Sequence, residues 1–181
     1  IAEGEVQQLT HLQNTRMCEA DYLEVIYRKT ALLFEVSAES GAVLAGADPC
    51  RARGYRDFGR HLGLAFQLMD DLLDYDGEAE ALGKNLGDDL AEGKVTLPLI
   101  IALKKSNPAD RSKLEQAILH PGSLDFETVR AITERSGGIE TTRARAFQEA
   151  ELATRSLETV NESSYKSTLK SLAEFAVRRT N

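Results

Sequence analysis

Apolar residues recur along most of this chain at alternating steps of three and four, the period of an amphipathic helix. The longest such stripe is Tyr55, Phe58, Leu62, Ala65, Met69 and Leu72, which predicts a helix over residues 52–75. Upstream, Leu23, Ile26, Tyr27, Leu33, Phe34 and Val36 predict a helix over residues 19–45, weakened at Gly41 and Gly46 and broken at Asp48-Pro49. Residues 6–13 read as the end of a helix begun earlier. Downstream the pattern predicts helices over 96–104, with Pro98 in its first turn, and over 110–120, 125–136, 139–161 and 164–179. Asn107-Pro108, Pro121-Gly122-Ser123 and Gly137-Gly138 punctuate them. No alternating segments flank a hairpin turn, and there is no internal repeat. The expectation is an all-α fold, a single domain over residues 1–181. Its short loops make neighbouring helices mostly antiparallel.

The other face of the long helix changes the picture. Arg60, Gly63, Gln67, Asp70 and Asp74 recur there at the same helical steps, and Asp71 adds a third carboxylate within five residues. Asp is a poor helix former and is seldom buried unless paired. Asp70 and Asp74 stand one turn apart on one face, where like charges repel. Such a pair calls for a cation, and hard oxygen ligands suit Mg²⁺, which takes one or two carboxylates, waters and phosphate oxygens. A solvated acidic face has the same composition, and five residues alone do not separate the two readings.

The next segment of the chain does more. Gly83-Lys84 and Gly93-Lys94 lie ten residues apart, directly after the carboxylates. Gly lets the backbone approach a ligand closely, and Lys offers a compact charge to a phosphate oxygen. Carboxylates for a metal beside lysines for phosphate make a diphosphate site from two kinds of part. Either lysine alone reads equally as surface solvation.

Composition narrows the class without naming the chemistry. The chain has 181 residues, 42% of them hydrophobic, enough for a core of ordinary size. A formal charge of -7 argues against nucleic-acid binding. Two cysteines, Cys18 and Cys50, form neither a disulfide framework nor a zinc motif, so a reducing, cytoplasmic setting is expected. No apolar run approaches the roughly 20 residues of a transmembrane span. His11, His61 and His120 are scattered and carry no expected role.

Taken together, Phe66-Gln67-x-x-Asp70-Asp71-x-x-Asp74, Gly83-Lys84-x-x-Gly87-x-Asp89 and Gly93-Lys94-x-Thr96-x-Pro98 resemble the second aspartate-rich region of trans-isoprenyl (polyprenyl) diphosphate synthases. Tyr27-Arg28-Lys29-Thr30-Ala31 resembles the Lys-Thr helix of that family. Residues 21–47 and the ending Arg178-Arg179-Thr180-Asn181 look most like the bacterial long-chain members of octaprenyl type. The resemblance covers nearly the whole chain. It implies a helical bundle around a central cavity, and a prenyltransferase that joins an allylic diphosphate to isopentenyl diphosphate with Mg²⁺. It also implies roles. Asp70, Asp71 and Asp74 would belong to the metal–diphosphate site, the first as the most direct ligand. Lys29 and Lys84 would contact the allylic diphosphate, with Lys94 nearby. Thr30 and Gln67 would line the cavity near the reacting carbons. Family members are usually homodimers.

One departure matters. The family carries a first aspartate-rich region followed by paired Arg, and nothing in this chain matches it. The chain is therefore expected to be the C-terminal part of a longer synthase, inactive alone. Two other classes share features with it. A terpene cyclase has the helical fold, but typically places Asn and Ser or Thr where Asp71 and Asp74 stand. A non-catalytic partner subunit would suit the missing first motif, but such subunits usually lose the second one too.

Overall fold

The computed structural model describes residues 1–76 and 86–179. Every element among the described residues is helical, as the periodicity predicts. The helices are α1 (Ala2–Thr10), α2 (Glu19–Ile26), α3 (Leu32–Leu44), α4 (Pro49–Asp76), α5 (Asp88–Ala91), α6 (Leu97–Lys105), α7 (Pro108–Leu119), α8 (Phe126–Arg135), α9 (Gly138–Ser156) and α10 (Ser164–Arg178). Between α2 and α3, Tyr27–Ala31 forms one turn of π-helix. None of these helices is long and apolar enough to cross a membrane.

Several boundaries differ from the sequence expectation for identifiable reasons. Asp48-Pro49 does end the run before it, but it also starts α4: Asp48 Oδ1 accepts the backbone N–H groups of Cys50 and Arg51, and Pro49 occupies a first-turn position where its missing N–H costs nothing. Asn107 in the same way caps α7, accepting from the Asp110 N–H. Helix α9 stops at Ser156 rather than continuing to 161. There Leu157, Glu158 and Val160 donate to carbonyls three residues back, the tighter turn that closes a helix end. The four-residue α5 is a surprise. It starts from Gly87 at φ 83, and a Cβ there would strike the ring of Phe126.

The described residues divide into two compact units. The first comprises Ile1–Glu5, Glu24–Met69 and Arg145–Arg179. Its core gathers Phe58 and Leu62 of α4, Ala153 and Leu157 at the end of α9, and Ala173 and Ala176 of α10. Glycines let α4 come within backbone distance of its neighbours. A Cβ on Gly63 would lie 2.5 Å from the Ala31 Cα, and one on Gly54 would lie 2.7 Å from the Ser156 carbonyl oxygen. Gly59 meets the Phe34 carbonyl in the same fashion. Arg56 reaches the buried Glu35 at 2.9 Å, and His61 pairs with the buried Glu149 at 2.7 Å.

The second unit comprises, among the described residues, 6–23, 70–76 and 86–144. Helices α6, α7 and α8 pack on one another there. Every residue of α6 from Leu97 to Leu103 is buried, so this short apolar run is the unit's central helix. The final turns of α4 belong to this unit, with Leu72 and Tyr75 fully buried.

Candidate active site

The predicted stripe on α4 is the buried one. Phe58, Leu62, Ala65, Met69 and Leu72 are each at most 4% exposed, and Tyr55 is partly so. That orientation turns Gln67, Asp70 and Asp74 to another face of the same helix, three and four residues apart.

In the second unit the three carboxylates have three different environments. Asp70 is exposed. Asp71 is 6% exposed, and its Oδ2 accepts a 2.6 Å hydrogen bond from the hydroxyl of the buried Tyr22. Burial, and then the negative charge of Asp71, push the Tyr22 hydroxyl well above its ordinary pKa, so it remains a donor. Asp74 is half-buried and accepts the backbone N–H groups of Asp88 at 3.1 Å and Asp89 at 3.3 Å, where α5 begins. Its main-chain carbonyl accepts the Gly87 N–H, so the start of α5 is held against the last turn of α4. Lys94 Nζ contacts Asp89 at 2.9 Å and Glu92 at 2.7 Å. Burial pulls its ammonium pKa down, but the bonds to Glu92 and Asp89 outweigh this and raise it overall. Lys94 thus arrives already paired with acids, rather than as the open phosphate contact the sequence suggests. Lys84 lies outside the described residues.

Burial first, and then the Asp89 charge, push the Asp74 carboxyl up from 3.8 to about 6, against the two backbone donors that pull it down. A carboxyl raised in this way adds stability that is complete below about pH 4 and lost as pH climbs to about 6. At neutral pH the fold therefore carries an unfavourable ionised Asp74. Asp74→Asn, which keeps the accepting oxygen, is expected to raise the thermal midpoint of metal-free protein near pH 7. The gain should shrink as pH falls toward 4. An equal gain at both ends would show that charge is not its source.

The donors suit a hard divalent cation in kind: all are carboxylate oxygens, Asp70 is exposed and Asp74 is half-buried. Among the described residues no cluster of three or more His, Cys, Asp or Glu is arranged to hold a metal by itself.

In the first unit, Thr30 sits in the π turn and its hydroxyl donates to Gln67 Oε1 at 2.7 Å. The two polar residues singled out from the sequence are each other's partners. Lys29, in the same turn, faces Glu5 at 3.4 Å. Beside Gln67, the Phe66 ring lies 5.8 Å from that of Phe34 and beneath the Arg179 guanidinium, 4.0 Å from the ring centre. Arg179 also donates to the Phe66 carbonyl at 2.9 Å. Nothing in the sequence pattern gives Tyr22 or Arg179 a role. Tyr22 reads as an ordinary core aromatic, and each partner lies too far along the chain for local spacing to reveal it.

Comparison with known proteins gives the family. The polyprenyl synthetase family model matches residues 1–135. The octaprenyl diphosphate synthase of Haemophilus influenzae is 44% identical over 180 residues, covering 99% of this chain and 55% of that protein. The all-trans-nonaprenyl-diphosphate synthase (geranyl-diphosphate specific) of Rhodobacter capsulatus is 42% identical over 179 residues, again over 99% of this chain and 55% of the relative. The polyprenyl synthase of Caulobacter crescentus, solved in complex with calcium and isoprenyl diphosphate, superposes with a TM-score of 0.93 at 43% identity, over 99% of this chain and 56% of that one. The chain thus spans about half the length of the curated relatives it matches. A family match across three quarters of the sequence, with 44% identity to an octaprenyl diphosphate synthase over nearly all of it, leads to one conclusion: this chain belongs to the polyprenyl synthetase family.

Proposed function

We propose that this chain is the part of a prenyl diphosphate synthase that handles the allylic diphosphate, in a protein that adds isopentenyl diphosphate to make a long-chain polyprenyl diphosphate. The observation that carries the proposal is the single face of α4 bearing Gln67, Asp70 and Asp74, joined to 44% identity with an octaprenyl diphosphate synthase. In the reaction the C1–O bond of the allylic diphosphate breaks and the electron pair leaves with the diphosphate. The double bond of isopentenyl diphosphate then bonds to C1, and a proton is lost. Asp70 and Asp74 would hold Mg²⁺ through oxygen, which would supply positive charge to the leaving diphosphate. Lys84 and Lys29 bind the diphosphate oxygens as point charges. Thr30 has given its only hydrogen to Gln67, so its oxygen lone pairs are what it offers to the carbocation at C1.

A terpene cyclase is the less supported reading, because Asp71 and Asp74 stand where cyclases carry other residues. The proposal extends to a homodimer in the cytoplasm, a reducing setting in which the free, exposed Cys18 and Cys50 are at ease. The direct test is prenyl transfer from a labelled allylic diphosphate by a protein of the relatives' full length that contains this chain, with Mg²⁺. Absence of a lengthened prenyl product would reject the proposal. In that protein Lys84→Ala is expected to lower kcat/KM for the allylic substrate by about tenfold to a hundredfold, the scale of one lost charge-assisted contact. An unchanged value would remove Lys84 from the site.

A further inference from the structure

Three carboxylates close together invite the assumption that all three serve the metal. The geometry divides them. Asp71 is almost closed to solvent, and its carboxylate takes a short, charge-assisted hydrogen bond from a tyrosine 49 residues earlier. A hydrated cation cannot reach a group so enclosed without first displacing Tyr22. Asp70, one residue before, is exposed, and Asp74, one turn on from Asp70, is half-buried. Successive residues on a helix point about 100° apart, so fixing Asp71 inward fixes the direction in which Asp70 and Asp74 project. Tyr22 is itself 2% exposed on α2 and has one hydrogen to give. It is therefore a rigid stop against which the last turns of α4 are set.

We infer that Tyr22 is a positioning residue for this site: through Asp71 it sets the rotation of the carboxylate turn, so that Asp70 and Asp74, and not Asp71, face the metal and diphosphate. The inference rests on the reading that this turn binds a metal–diphosphate. Tyr22 touches neither the substrate nor the ion, and it acts only through Asp71. Groups that orient metal ligands from behind typically change metal affinity by about 10-fold to 100-fold when removed.

The test compares Tyr22→Phe, Asp71→Asn and the double variant in the full-length protein. Both substitutions keep the size of the side chain, and circular dichroism and the thermal midpoint report whether each variant is folded. The readout is the affinity for Mn²⁺ in the presence of inorganic diphosphate, followed by the electron paramagnetic resonance of free Mn²⁺. Each single variant should weaken Mn²⁺ by about tenfold. The double variant should be no weaker than either single one, because the two residues act as one unit. Three results would overturn the inference. Asp71→Asn could abolish Mn²⁺ binding while Tyr22→Phe leaves it intact, which would make Asp71 a ligand. The two effects could multiply, which would make them independent. Both variants could lower the thermal midpoint with no change in Mn²⁺ affinity, which would make the pair merely structural. Failure of the unsubstituted protein to bind Mn²⁺ with diphosphate would reject the functional reading itself, and the inference with it.

Discussion

Asp70→Ala in a full-length protein containing this chain should lower kcat for prenyl transfer by about a hundredfold to a thousandfold, the usual loss when one preorganised group facing a developing charge is removed. The fold should survive. Asp70 is exposed, so its removal opens no cavity in the core. Thermal stability should therefore change little while turnover collapses. That split separates Asp70 from a structural residue, whose loss lowers both together. The assay is initial rate at saturating Mg²⁺ and both diphosphates, beside a melting curve. A rate within a factor of a few of the unsubstituted protein would show that the leaving group is stabilised elsewhere.

Gly63→Val is expected to cost several kcal/mol of stability, beyond the ~1–3 kcal/mol of ordinary overpacking. A Cβ at this position would lie 2.5 Å from the Ala31 Cα and 2.9 Å from its Cβ. The obstacle is therefore main chain, on the π turn that also carries Lys29 and Thr30, and it cannot swing aside as a side-chain tip would. With total stabilities of about 5–15 kcal/mol, such a loss leaves a protein that unfolds at low urea or fails to accumulate. Gly41 supplies the control. It sits in α3, where an added methyl group would meet nothing within 4 Å, so Gly41→Ala should raise stability by about 0.5–1 kcal/mol through helix propensity and the unfolded chain. Equal urea midpoints for the two variants would mean that the close approach at Gly63 does not exist in solution.

The parts of this molecule that are local in sequence are readable in it. Helix α4 declares itself through a stripe that stays in phase over five turns, and every predicted position after Tyr55 is buried. Gln67, Asp70 and Asp74 are legible for the same reason, since a helix converts spacing into a shared face. The pairing of Thr30 with Gln67 is not, although both residues stand out in the sequence, because it joins positions 37 apart. Tyr22 and Asp71 are further apart still, and a buried tyrosine has the same sequence signature whether its hydroxyl serves a carboxylate or nothing. Asp48-Pro49 and Asn107-Pro108 read as breaks, and the structure shows that each also begins the next helix. One dipeptide carries both meanings, and only the periodicity of the residues after it decides. Lys94 shows the opposite limit: its charge is plain from the sequence, but not that Asp89 and Glu92 take it.

The π turn at Tyr27–Ala31 has a genetic reading. Such a turn holds one residue more than an α-helix uses over the same rise, the form a helix takes when it absorbs an extra residue instead of breaking. Losing one codon within 27–31 would let the segment relax to regular α-helix. Everything after it on α3 would then turn by about 100° relative to α2, replacing one lining face of that helix with another at a single stroke. In a helix that holds Leu33, Phe34 and Ser37 just beyond the bulge, one codon gained or lost is a shorter route to a differently shaped cavity wall than a series of substitutions.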